Sequence, residues 1–262
     1  MKAYNTIELC VDERQVATLT LNRPDKHNAM NAQMIAELND AANWLASQNA
    51  IRAVILAANG KNFCAGGDLE WMQDQATKDR AGKMAESKAL ATMLHSLNTL
   101  PKPLIGRIQG AAFGGGIGLI SVCDTSIAVT GAQFCLTETK LGLIPATVGP
   151  FVVKRMGEGF ARQVFFNGKL FNTEFAIRSG LVSKTCQSED LDQAIASEIK
   201  SLISCAPGAV AAAKSLCLEI EQLPPEKVAD ITASALADRW ETEEAKLGIS
   251  AFFERRSPPW KS

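Results

Sequence analysis

The chain reads as a mixed α/β protein that ends in an all-helical part, and three observations predict this. Strand-like runs alternate with helix-period segments through the first two-thirds of the 262 residues. From about Ala206 the strand-like runs stop and two long helical stretches follow, each opened by proline. The composition, 47% hydrophobic and 21% charged, is that of a globular chain able to bury a sizeable core. The change of pattern divides the chain into a core at 1–200 and a helical region at 201–262, the latter suited to oligomerisation.

Taken in order, "TIELCV" and "VATLTLN" flank "DERQ" and read as a hairpin. After the turn-rich "RPDKHNA", Met30–Ala46 carries Met34, Leu38, Ala41 and Leu45 at helical spacing. "RAVILAA" is a buried strand, and "FCAGGDLEWM" is a glycine-rich loop that enters a helix. Lys78–Leu100 reads as an amphipathic helix stopped by "PKP". "LIGRIQG" and "TSIAVT" are strands, and between them "IGLISV" fits a buried helix or a buried strand. "PGAVAAAKSLCLEIEQL" and the run from Pro224 to Arg256 are helical, and "SPPWKS" ends structure.

Several classes of function are disfavoured by the totals. The net charge of −1 offers no general attraction to nucleic acid or to an anionic membrane. Arg107 and Gln109 interrupt the best apolar run, so no transmembrane helix is expected, and the first ten residues hold no apolar signal core. Seven scattered cysteines without a C-x-x-C pair suit reduced thiols and a cytoplasmic setting. With only His27 and His95, a multi-histidine zinc site is excluded and no metal site is expected. Neither a G-x-S-x-G elbow nor a phosphate loop ending in G-K-[ST] occurs. Carboxylates and backbone are left to do the chemistry.

Two loops share a design. "CAGGD" (64–68) and "FGGGI" (113–117) each follow a strand and lead into a helix-compatible run. Backbone N–H groups at such places point outward without partners, and two that converge would form an oxyanion hole. Glu138, in "CLTETKLGLIP", is a lone carboxylate among Leu136, Leu141, Leu143 and Ile144. Apolar surroundings raise a carboxyl pKa and fit it to hold or deliver a proton near neutrality. Each feature also has a plainer explanation, as tight-turn glycines and as a surface glutamate paired with Lys140. Ser121 is expected to bond its own backbone, Asp124 to terminate a helix, and His95 to sit at the edge of the core.

The stretches "LNRPDKHNAM", "NFCAGGDLEWM", "PKPLIGRIQGAAFGGGIGLISVCD", "AQFCLTETKLGLIPATVGP" and "GISAFFERRSPPW" together resemble the enoyl-CoA hydratase/isomerase (crotonase) family, in order and over nearly the whole chain. The resemblance implies a spiral core of β-β-α turns with a helical C-terminal region, trimers or dimers of trimers, and acyl-CoA thioester substrates. No cofactor is implied beyond the CoA of the substrate. By position, the N–H groups of Gly67 and Gly115 would be the oxyanion hole and Glu138 the acid/base. Lys26, His27, Ala29, Ala65, Asp68, Leu69, Gly114, Gly118 and Pro145 match positions around the CoA and acyl groups.

One departure stands out. Typical hydratases carry a further glutamate three positions after the second oxyanion glycine, and here that position is Gly118. The expected activity is hydration of a 2-enoyl-CoA, with "ETKLGLIP" resembling the methylglutaconyl-CoA branch. The alternatives are a 3,2-enoyl-CoA isomerase, which needs a single base, and an acyl-CoA binder with little turnover.

Overall fold

The computed structural model describes residues 2–261; Met1 and Ser262, the outermost residues of the two regions assigned above, lie outside the described residues. Strands β1 (Ile7–Val11) and β2 (Val16–Leu21) form the expected antiparallel hairpin. Asp12 closes its turn by accepting from the amides of Arg14 and Val16. Helix α1 (Ala32–Ser47) starts two residues later than its periodicity suggests, because the Asn31 side chain accepts from the Met34 amide at 2.9 Å and caps it. It buries all four predicted residues, and Ile35 and Ala42 besides.

Strand β3 (Ala53–Ala58) is buried at every position, as a parallel strand covered on both faces must be. Helix α2 (Leu69–Thr77) follows, then α3 (Arg80–Asn98), whose start is set by Asp79 accepting from the Gly82 amide. Next come β4 (Leu104–Ile108), the short β5 (Ala112–Phe113) and α4 (Gly115–Ser121), so the ambiguous "IGLISV" is helix. The remaining core elements are β6 (Thr125–Val129), β7 (Gln133–Cys135), α5 (Gly149–Phe165), β8 (Phe171–Asn172), α6 (Thr173–Arg178), β9 (Lys184–Cys186) and α7 (Leu191–Ile203). Helices α8 (Pro207–Glu219), α9 (Pro225–Trp240) and α10 (Glu243–Phe253) complete the chain. The second long helical run is therefore two helices, because Thr242 leaves the helix and caps α10 through the Ala245 amide.

The main sheet has the order β1-β2-β3-β4-β6-β9, parallel except for the hairpin. Beside it runs a second row of short pairings. Met30 bridges Gly67, Cys64 bridges Ala112, β5 pairs with β7, and β7 pairs with β8. Successive passes of the chain thus place one strand in the main sheet and a short extended piece in the second row, which makes a spiral. Helix α7 buries Leu191, Ile195 and Ile199 against β3, β4 and β6, and it runs through residue 200. By contrast, α8 and α9 contain no buried residue.

Candidate active site

The second row explains why residues far apart in sequence meet. Neighbouring pieces of paired backbone lie about 4.8 Å apart. Gly67, Gly115 and Glu138 each follow a member of that row, Cys64, Ala112 and Cys135, by three residues. Gly114 donates to the Cys135 carbonyl at 2.9 Å, and Phe113 donates to the Cys64 carbonyl at 2.9 Å. The two glycine loops abut so closely that a Cβ on Gly114 would lie 3.6 Å from the Gly66 Cα and 3.4 Å from Glu138 Oε1. Gly114 has φ 48°, a conformation glycine adopts without the penalty other residues meet.

Among the described residues, the amides of Gly67 and Gly115 donate to no protein acceptor. Both glycines line a cavity of about 350 Å³, and so does Glu138, the only ionisable residue on its walls among the described residues. Glu138 Oε2 is buried without a hydrogen-bond partner. Burial raises the carboxyl above its usual range, against the opposing effect of backbone amides at Glu138 and Thr137. Leu141, Leu143, Ile144 and Leu69 form an exposed apolar rim, while Leu136 belongs to the core.

Ala65, Leu69, Gly114 and Pro145 line this cavity as the sequence suggested. Five other expected contacts lie off its walls. Asp68 is buried and paired with Arg23 at 2.9 Å, so its carboxylate is held inside the protein. Lys26 and His27 are exposed on the neighbouring turn, where Lys26 meets Glu70 at 3.3 Å and His27 faces Asn62. Ala29 is buried beneath them. Gly118 is fully enclosed, and a Cβ there would lie 2.6 Å from Val148 Cγ1 and 3.4 Å from Leu94 Cδ1. Valine and leucine side chains therefore crowd the position where a second carboxylate would stand.

The triple glycine has a packing cause as well. A Cβ on Gly115 would strike the Met30 methyl at 2.0 Å, and one on Gly116 the Cys64 carbonyl at 2.7 Å. Trp71, Met72, Leu90 and Val148 also wall the cavity; helical periodicity does not single them out, because Trp71, Leu90 and Val148 pack against the core as well. Cys64 is fully buried and burial pushes its thiol up to about 12, so it is inert. Ser121 donates to the Ile117 carbonyl, as expected, and Asp124 accepts from the Leu104 amide and pairs with Lys214. His95 is exposed on α3, not at the edge of the core, because Met93, Leu94 and Leu97 take the buried face. Among the described residues no group of three or more His, Cys, Asp or Glu is placed to hold a metal ion, and no single helix is long and apolar enough to cross a membrane.

The comparisons with known proteins bear on this geometry. The family model described as enoyl-CoA hydratase/isomerase matches residues 12–262. The chain belongs to the enoyl-CoA hydratase/isomerase family. A crystal structure of an enoyl-CoA hydratase from Shewanella pealeana superposes with a TM-score of 0.94 at 36% identity, covering 98% of this chain and 96% of that one. The crotonyl-CoA hydratase of Syntrophomonas wolfei is 32% identical over 257 residues, 97% of each chain. The short-chain-enoyl-CoA hydratase of Clostridium acetobutylicum is 30% identical over 247 residues, 93% of each. The fold is the crotonase fold of this family, whose members are enoyl-CoA hydratases and isomerases.

Proposed function

We propose that the chain hydrates a 2-enoyl-CoA, with Glu138 as the single acid/base and the Gly67 and Gly115 amides as oxyanion donors. The observation that carries this is the meeting of two unpaired amides and one desolvated carboxylate in one apolar cavity. The Glu138 carboxylate takes a proton from water as the oxygen adds to C3. The electron pair of the double bond moves into the thioester, whose oxygen becomes the enolate oxyanion held by the two amides. The carboxyl then returns the proton to C2, so that H and OH add across the bond. Each oxyanion donor is worth about 3 kcal/mol in barrier. Removal of the general acid/base costs about 10²- to 10⁴-fold.

A second reading is favoured by one observation, the Val148 methyl packed against Gly118. With no second carboxylate to hold water, Glu138 would move a proton from C2 to C4 of a 3-enoyl-CoA, making the chain an isomerase. Methylglutaconyl-CoA is the specific substrate to test, because "ETKLGLIP" resembles that branch of the family. Lys26, exposed and tied to Glu70 only by a surface pair of little strength, is available to a CoA phosphate. A homotrimer or dimer of trimers is proposed from the unburied α8 and α9 and from Trp240, Phe252 and Phe253, which are 58%, 79% and 78% exposed.

The deciding experiment follows enoyl-thioester absorbance with crotonyl-CoA and 3-methylglutaconyl-CoA for the wild type and Glu138→Gln. Turnover that falls at least about 100-fold in the variant, with CoA-ester binding retained, supports hydration. Wild type that consumes neither ester but converts a 3-enoyl-CoA to its conjugated isomer selects the second reading.

A further inference from the structure

Asp68 does not itself line the cavity, yet it is buried beside the oxyanion glycine. What holds it is Arg23. One guanidinium nitrogen, Nη2, lies 2.9 Å from Asp68 Oδ2, and the other, Nη1, donates to the Ala29 carbonyl at 2.6 Å. The side chains are only 16% and 6% exposed. On its other oxygen Asp68 accepts from the Glu70 and Trp71 amides and so opens α2. The Arg23 fork thus joins two chain segments, 23–30 and 65–68, that meet at the edge of the cavity.

Those segments also pair through backbone. Met30 donates to the Gly66 carbonyl at 2.7 Å, and Asp68 donates to the Met30 carbonyl at 2.9 Å. Along an extended segment successive N–H groups point to opposite sides. With the Asp68 amide turned to Met30, the Gly67 amide between these bonds faces away, toward the cavity. We propose that Arg23 is a positioning residue for the reaction, aiming the Gly67 amide at the thioester oxygen by clamping Asp68 and the Ala29 carbonyl together. This inference rests on the oxyanion-hole reading given above.

Arg23→Lys keeps the charge but offers a compact ammonium in place of a planar fork, so it does not span both acceptors with the same geometry. Asp68→Asn keeps a helix cap and leaves Arg23 with no buried carboxylate to hold; it carries the test if Arg23→Lys loses its helical circular-dichroism signal. Both are compared with wild type by steady-state kinetics and by binding of a cinnamoyl-CoA thioester, whose absorbance shifts to the red when its carbonyl is polarised. The expected result in folded variants is a kcat lowered about 10- to 100-fold with KM changed less than about threefold, as follows from misplacing a catalytic donor by a fraction of an ångström. The red shift is expected to shrink by about half, the share of one of two donors. A folded variant with full red shift and full kcat overturns the role of Arg23, which would then only support the fold. Absence of a red shift in the wild type itself overturns the oxyanion-hole reading instead.

Discussion

Gly118 and Val148 give a prediction whose sign depends on the background in which it is measured. A Cβ at Gly118 lies 2.6 Å from Val148 Cγ1, against an optimum of about 3.5–4.0 Å for two carbons, so the overlap is about 1 Å. Overpacking of this kind costs about 3 kcal/mol, while alanine in place of glycine inside a helix returns about 1. Gly118→Ala should therefore destabilise the wild type by about 2 kcal/mol. Val148 is 3% exposed, and Val148→Ala alone should cost about 2 kcal/mol. In the double variant Cγ1 is gone. The remaining contact, 3.1 Å to the Val148 Cβ, needs a shift of a few tenths of an ångström, which the exposed 141–144 stretch before it can absorb. Added to Val148→Ala, the same Gly118→Ala change should become stabilising by about 1 kcal/mol. Urea unfolding of the four proteins reads the coupling, about 3 kcal/mol. Additivity within about 0.5 kcal/mol would refute the idea that Val148 occupies the place of a second carboxylate.

Two further outcomes follow from the site. Burial raises the Glu138 carboxyl on folding, so this group contributes stability at low pH and loses it as pH rises through the folded pKa; Glu138→Gln should raise Tm at neutral pH, with the gain vanishing below the ordinary carboxylate range. Gly114→Ala forces a side chain into a φ of 48° and sets a methyl 3.4 Å from Glu138 Oε1. It should cost about 1–3 kcal/mol in unfolding assays and lower kcat about 100-fold.

The alternation of "VATLTL", "AVILAA" and "LIGRI" with helical spacing is enough to read a mixed α/β core, because each strand's burial is written in its own residues. The second row was not legible, since β5, β7 and β8 are two or three residues long and gain their shape from neighbours instead of propensity. Helix α5 was hidden by Gly149, Pro150 and Gly157, the last breaking it at φ 75°. Glu138 and the two glycine loops were legible as motifs. Their juxtaposition was not, nor was the plug at Gly118, whose partner Val148 lies thirty residues away. Asp68 is expected as a ligand contact by family resemblance alone, and its place in "AGGDL" does not reveal that Arg23 neutralises it.

The same burial that raises the Glu138 carboxyl also strengthens the donors opposite it, since charge interacts more strongly where water is excluded. Free, the cavity is still open at an apolar rim: Leu69, Leu143 and Ile144 are 76%, 55% and 73% exposed. An acyl-CoA lying across that rim removes water from the carboxyl further and adds no cation to the cavity walls. Desolvation disfavours the charged form, so the carboxyl must move higher again in the complex than in the free protein. In the proposed hydration the reaction begins with the carboxylate, so activity should fall as pH drops through its pKa. The limb of kcat/KM reports the free protein and the limb of kcat reports the complex. The acid limb of kcat should therefore lie at higher pH than that of kcat/KM, and both should vanish in Glu138→Gln. A kcat limb at or below that of kcat/KM would mean that bound substrate leaves Glu138 better solvated than before or brings positive charge to it, contrary to an acyl-CoA closing over the apolar rim of Leu69, Leu143 and Ile144.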